Sequence, residues 1–285
     1  MALISVAQLA DRLGDANLRV VDVRWYLNRP GAGRAAYDDG HIPGALFLDL
    51  DEDLSDPDGY GAPGRHPLPT PQAFAARLGA AGIGSDDFVV AYDDVGGTVA
   101  ARLWWMLDNL GHRGGAALLD GGIGAWIAAD QPLSQDEPHY PAALLEVAGQ
   151  WHGVIARDEL AGRLGEVSLL DARAPERYRG EVEPIDPVAG HIPTALNAPT
   201  AGNLADDGRF LPPDLLRARY QEVAAVGRPI VVSCGSGTNA CHNALAIRLA
   251  GMSDPILYVG SYSDWSRSGM PIATGDEPGR LDADR

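Results

Sequence analysis

Lysine is absent. All 22 cationic side chains of the 285-residue chain are arginines, which excludes Schiff-base chemistry on a lysine amine and a P-loop, whose motif needs a lysine to reach the phosphates. Cysteine is almost absent as well. Two thiols, Cys234 and Cys241, make no disulfide framework, and neither stands in a Cys-x-x-Cys or paired-histidine spacing suited to zinc. No stretch approaches the roughly 18 consecutive apolar residues of a membrane span. Met1 to Val20 lacks a basic segment leading into an apolar core, so the expectation is a soluble, cytoplasmic protein. Positive charge is scarce, 22 Arg against 39 acidic side chains, a net charge of −17. So acidic a surface repels phosphate backbones and anionic lipid, and neither nucleic acid nor a membrane is expected as a partner.

What is present suits a globular protein: 46% of residues are hydrophobic and 21% charged, near the average for packed domains. At roughly 100–200 residues per domain the length favours two units. The two halves repeat one punctuation. Val20-Val21-Asp22-Val23-Arg24 returns as Leu169-Leu170-Asp171-Ala172-Arg173, and His41-Ile42-Pro43-Gly44-Ala45 as His191-Ile192-Pro193-Thr194-Ala195. Val89-Val90-Ala91-Tyr92-Asp93 returns as Val231-Val232-Ser233-Cys234, and Gly121 with Trp126 as Gly260 with Trp265. The paired histidines stand 150 positions apart but the paired glycines 139. The first half therefore carries extra residues, and the Asp/Pro/Gly-rich stretch 49–69 is where they fit; a long loop at one place in a duplicated fold is more often functional than accidental.

In each half, short β-branched runs alternate with helical patterns over 71–78, 98–110, 213–225 and 239–250. That alternation predicts an α/β fold of parallel strands with crossover helices. The expected division is a first domain over 1–135, a linker over 136–150 drawn from the proline-bearing stretch between Gln131 and Trp151, and a second domain over 151–285. The tail from Gly275, rich in Gly, Pro and charge, is expected to fray.

The strongest chemical signal is Val231-Val232-Ser233-Cys234-Gly235-Ser236-Gly237-Thr238-Asn239-Ala240-Cys241. A buried strand delivers Cys234 to its carboxyl end, a glycine-punctuated loop follows, and a helix begins near Asn239. Ligands of open α/β sheets sit at that edge. The glycines let successive amides turn inward as an anion nest and the helix start adds partial positive charge, both favouring a thiolate at Cys234. The plain alternative is a buried cysteine that merely ends a strand. For Cys241, one turn into the helix, packing is the expected role.

With these residues, the two His-Ile-Pro elements, Tyr92-Asp93 with Trp104-Trp105, and Asp120-Gly121-Gly122 before Trp126, the chain resembles the tandem rhodanese family, and within it the 3-mercaptopyruvate sulfurtransferases. The resemblance implies two rhodanese folds, each a parallel five-stranded sheet flanked by helices, with catalysis in the second. The position matching Cys234 falls at Asp93 or Asp94, so the first half is expected to be silent. Cysteine phosphatases, some of which share the fold, place an arginine six positions after the nucleophile; here that position is Ala240, which disfavours phosphate as substrate.

The resemblance also implies site residues. Ser236, two after the cysteine, matches a serine that pairs with a histidine and an aspartate of the first domain. His66 of Arg65-His66-Pro67 and Asp51 of Asp49-Leu50-Asp51 match those motifs and suggest a Ser–His–Asp relay; the plain alternative for both is an ordinary polar loop residue. Arg177 occupies the position of the carboxylate-binding arginine. Arg173, twinned with Arg24, is expected to be architectural, as are His41 and His191, and Arg179 a solvated charge. Two departures stand out: a second substrate arginine nine residues after the first is replaced by Asp186, and Val-Thr in the loop by Thr238-Asn239. The implied reaction moves sulfur from 3-mercaptopyruvate onto Cys234 as a persulfide, held by Gly235, Gly237, Thr238, Asn239 and Ala240, then to a thiol, a thioredoxin or cyanide. No metal or organic cofactor is implied. Thiosulfate sulfurtransferase and a non-catalytic binding module are the alternatives; basic side chains after the cysteine, usual with thiosulfate, are missing here.

Overall fold

A computed structural model describes residues 2–56, 58–59 and 64–280. Ten strands run through it: β1 (Leu3–Ile4), β2 (Leu18–Asp22), β3 (Ala45–Phe47), β4 (Phe88–Tyr92) and β5 (Ala116–Leu119), then β6 (Val154–Ile155), β7 (Ser168–Asp171), β8 (Leu196–Asn197), β9 (Ile230–Ser233) and β10 (Ile256–Tyr258). They form two five-stranded sheets, β1-β5-β4-β2-β3 and β6-β10-β9-β7-β8, with every pairing parallel. The expected α/β fold is therefore present twice. Parallel strands covered by helices on both faces read as continuous apolar runs, and Val89–Tyr92 and Val231–Ser233 are buried throughout.

In both sheets the order reverses beside the central strand, β4 next to β2 and β9 next to β7. That reversal opens a crevice at the carboxyl ends of the strands. Register fixes the correspondence between the halves: Asp22 pairs with Tyr92 and Asp171 with Ser233. Asp93, rather than Asp94, is thus the counterpart of Cys234.

The four long helices lie where the patterning places them, at Pro71–Ala80, Ala100–Asn109, Pro213–Val223 and Asn239–Leu249. Thr70 caps the first by accepting from the Ala73 amide, with proline at the first helical position. The cores are twinned too. Trp126 and Trp265 are fully buried, and each indole N–H donates to a proline carbonyl six residues on, Pro132 at 2.8 Å and Pro271 at 2.9 Å.

The repeated polar residues are architectural, as expected. Arg24 grips Asp22 at 2.6 Å and the Gly40 carbonyl at 2.8 Å; Arg173 grips Asp171 and the Gly190 carbonyl, both at 2.7 Å. Each pair ties a strand end to the loop before the next strand. His41 stacks on Tyr37 and His191 on Tyr178, both at 3.8 Å, with Nδ1 on the tyrosine carbonyls.

The chain divides into two compact units, one of Met1–Asp56, Pro69–His152 and Leu204–Phe210, the other of Pro57–Leu68, Gly153–Asn203 and Leu211–Arg285. Residues 57 and 60–63 of the inserted stretch lie outside the described residues. The rest of 57–68, in the half expected to form the first domain, groups with the second unit, because the Arg65 amide donates to Ser263 Oγ at 3.0 Å and the His66 ring meets Ser236. Stretch 136–150, expected as a linker, lies along the first unit: Tyr140 Oη donates to the Gly44 carbonyl and the Ala143 amide to that of Gly79, both at 2.9 Å. The tail departs from expectation. Through Pro278 it is held rather than frayed, since the Gly275 amide donates to the Arg179 carbonyl and the Thr194 amide to that of Pro278; residues 281–285 lie outside the described residues. Among the described residues no helix is long and apolar enough to cross a membrane.

Candidate active site

Cys234 follows directly on β9, and a second loop holds its backbone. Its amide donates to Ser261 Oγ at 3.1 Å, its carbonyl accepts from the Tyr262 amide, and the Gly235 carbonyl accepts from the Ser263 amide, both at 2.9 Å. Ser261 adopts φ +51°, a left-handed conformation that costs a non-glycine residue energy and persists only where its surroundings enforce it. Its twin Gly122 has φ +58°. A serine accepts the strain here because its hydroxyl also donates to the Tyr258 carbonyl at 2.9 Å. Sequence reasoning passed over this residue; the signal was a serine where the first half has glycine.

The loop turns at Gly237, φ +82°, where a Cβ would come within 2.5 Å of the Val259 carbonyl oxygen. Only glycine fits that turn. With it made, the Gly237 amide donates to Cys234 Sγ at 3.1 Å, and the helix Asn239–Leu249 begins two residues later, aligned with the expected start. Among the loop residues expected to hold the transferred sulfur, Gly237 places its amide on the cysteine sulfur itself. Gly235, Thr238, Asn239 and Ala240 complete the turn, and Ala240 is fully buried, leaving no room for a phosphate-gripping side chain. Cys234 itself is only 3% exposed. Cys241 packs inside its helix, its thiol donating to the Gly237 carbonyl at 3.3 Å.

The first half shows what this loop design holds. The Asp93 carboxylate accepts from the amides of Val95 and Gly97 on one oxygen and of Val99 and Ala100 on the other, at 2.8–2.9 Å. Burial pushes this carboxyl up, and the four amides offset part of that push. A nest of inward amides at the end of β4 is therefore filled by a carboxyl group of the chain's own.

His66 and Ser236, predicted to interact, do so within the second unit: Nδ1 lies 2.8 Å from Ser236 Oγ and 3.4 Å from Thr238 Oγ1. All three are buried. Asp51 belongs to the first unit, where its carboxylate accepts from Trp25 Nε1 at 2.8 Å.

Arg177 bonds Glu183 at 2.7 Å and approaches Asp186 at 3.4 Å. Burial pushes the Glu183 carboxyl up, but the hydrogen bond and charge of Arg177 together with the Asp186 and Ile185 amides outweigh it and hold the carboxyl below its usual range. Arg65 reaches the same Asp186 at 2.5 Å. Arg179, as expected of a surface charge, pairs with exposed Glu181. Among the described residues no group of three or more His, Cys, Asp or Glu is placed to hold a metal ion.

Comparison with known proteins matches residues 5–129 and 156–268 to the Rhodanese-like domain. A Pseudomonas aeruginosa protein provisionally named a 3-mercaptopyruvate sulfurtransferase is 48% identical, over 96% of this chain and 98% of its own. A Mycobacterium tuberculosis protein provisionally named a thiosulfate sulfurtransferase is 41% identical over 93% of both chains. The crystal structure of a 3-mercaptopyruvate sulfotransferase from Escherichia coli superposes with a TM-score of 0.80 at 29% identity, covering 92% of this chain and 98% of that one.

Proposed function

Because the chain belongs to the rhodanese-like family and is a sulfurtransferase, we propose that its nucleophile is Cys234 and its donor 3-mercaptopyruvate. The observation that carries this reading is the Gly237 amide aimed at Cys234 Sγ, in a loop whose twin in the first half turns four amides onto a buried carboxyl group. In the reaction, the Cys234 thiolate attacks the donor's sulfur. The carbon–sulfur bond breaks and its electron pair leaves as the enolate of pyruvate, conjugated with the neighbouring carbonyl. The proton of the donor's thiol passes to that enolate, and a Cys234 persulfide anion remains. Ser236 and His66 stand at hydrogen-bond distance to relay the proton. Arg177 binds the donor's carboxylate. A thiol acceptor, such as a small thiol or a thioredoxin, then takes the outer sulfur. Cys234 and Cys241 are not joined in a disulfide, which suits a reducing, cytoplasmic setting.

The second reading is thiosulfate as donor, favoured by the Mycobacterium tuberculosis relative's name. The neutral Gly235-Ser236 beside the nucleophile weighs against it, because a dianion needs more compensating charge. Purified protein incubated separately with mercaptopyruvate and with thiosulfate, in the presence of cyanide, decides between them. Pyruvate should form faster than thiocyanate from thiosulfate. Thiosulfate turnover alone would transfer the assignment to the second reading, and inertness toward both donors would leave a binding module.

A further inference from the structure

Asp186 gathers three arginines beside the nucleophile. Its side chain is 0% exposed. Oδ1 accepts from Arg65 Nη1 at 2.5 Å and from Arg267 Nη1 at 3.1 Å, and Oδ2 lies 3.4 Å from Arg177 Nη2. Glu183 braces the group, binding Arg177 at 2.7 Å and accepting from the Asp186 amide at 3.1 Å. Arg65 and Arg177 thereby converge on Gly235: a Cβ there would stand 2.9 Å from Arg65 Nη2 and 3.6 Å from Arg177 Nη1. The side chain that Gly235 lacks leaves the space into which Arg65 reaches. Arg65 Nε is buried without a hydrogen-bond partner among the described residues, an uncompensated donor of the kind a bound anion satisfies.

The charges can be counted. Arg173 is matched by its own Asp171. That leaves Arg65, Arg177 and Arg267 against Glu183 and Asp186, one net positive charge in the cluster around Asp186, two of whose arginines reach Gly235. One carboxylate neutralises it, whereas a dianion leaves a buried excess of negative charge, which is unfavourable at low dielectric.

We propose that Asp186 is a positioning residue for donor selection: it locks Arg65 beside Arg177 as a two-guanidinium fork and trims the fork's charge to that of a monoanionic carboxylate donor. The inference rests on the reading of Cys234 as the nucleophile. Where a second arginine was expected from the resemblance, the chain supplies its second cation from Arg65 and uses position 186 to hold it. Selectivity then comes as much from an unfavourable excess charge against the dianion as from attraction to the monoanion.

Binding can be read apart from turnover. On Cys234→Ser protein, calorimetry gives Kd for pyruvate, the monoanionic probe, and for thiosulfate, the dianionic probe, with and without Asp186→Asn. The asparagine keeps size and one acceptor while adding one net positive charge. Pyruvate should bind the parent, and Asp186→Asn should shift the ratio of the two Kd values toward thiosulfate on the order of tenfold. Unchanged Kd values, equal changes in both, or a parent that binds no pyruvate would overturn the proposal; a merely structural role moves both probes alike. Should Asp186→Asn not fold, Arg267→Gln must move the ratio the opposite way, and an unmoved ratio overturns the proposal equally. The nucleophile assignment fails separately, through absence of any sulfur adduct on the unsubstituted chain.

Discussion

At the scale of single residues, the chemistry turns on which group touches the sulfur and which touches the proton. His66 Nδ1 sits 2.8 Å from Ser236 Oγ, a proton path that a donor with a thiol hydrogen needs and thiosulfate, which carries none, does not. His66→Ala and Ser236→Ala should each lower kcat for mercaptopyruvate on the order of 10²–10⁴-fold, the usual worth of a positioned acid or base, while slowing thiosulfate turnover far less. Steady-state rates with both donors check this, and equal losses would remove the relay from the mechanism. Ser236, Cys234 and Gly237 were legible because one short segment carries them all. Ser261 and Arg65 were not. Their roles depend on contacts across 27 positions to the Cys234 amide and 121 positions to Asp186, and no local pattern encodes such contacts.

At the scale of elements, the two strand-loop-helix units are variants of one device, and the one in the first half isolates its cost. Four amides converge on Asp93, whose own carboxyl is fully buried. Asp93→Asn presents a donor where an acceptor stood and leaves amides unsatisfied, each such group costing about 1–3 kcal/mol. Denaturant unfolding should show a loss of about 2–3 kcal/mol with persulfide formation on Cys234 retained. Unaltered stability would mean that the nest does not need its anion. Strand and helix positions were readable from the alternation of apolar runs and helical periods, and β4 and β9 from their unbroken burial. The loop over 49–69 was recognised as additional, yet the grouping of its part around Arg65 and His66 with the second unit was not, because segment placement is decided by tertiary partners such as Ser263 and Ser236 rather than by composition.

At the scale of the whole molecule, duplication gave the architecture away, and the asymmetries between the halves carry the function. The stability of the fold should also depend on pH through its buried histidines. Burial lowers the pKa of His112 and His191 below the ordinary value of 6.5. As pH falls through that value the unfolded chain takes up protons that the folded chain resists, so stability present above it is lost below it. The advantage of the natural chain over His191→Gln in thermal unfolding should therefore shrink between about pH 7.5 and pH 5.5, and a widening gap would contradict the sign. The central claim is that one sulfur of the chain, and no other, carries the transferred atom. Mass spectrometry of the chain after mercaptopyruvate, with fragment ions separating Cys234 from Cys241, tests it most directly. The account predicts one added sulfur atom on Cys234, with pyruvate released and the adduct lost on addition of a thiol. An adduct on Cys241, or pyruvate release that survives Cys234→Ser, would contradict it.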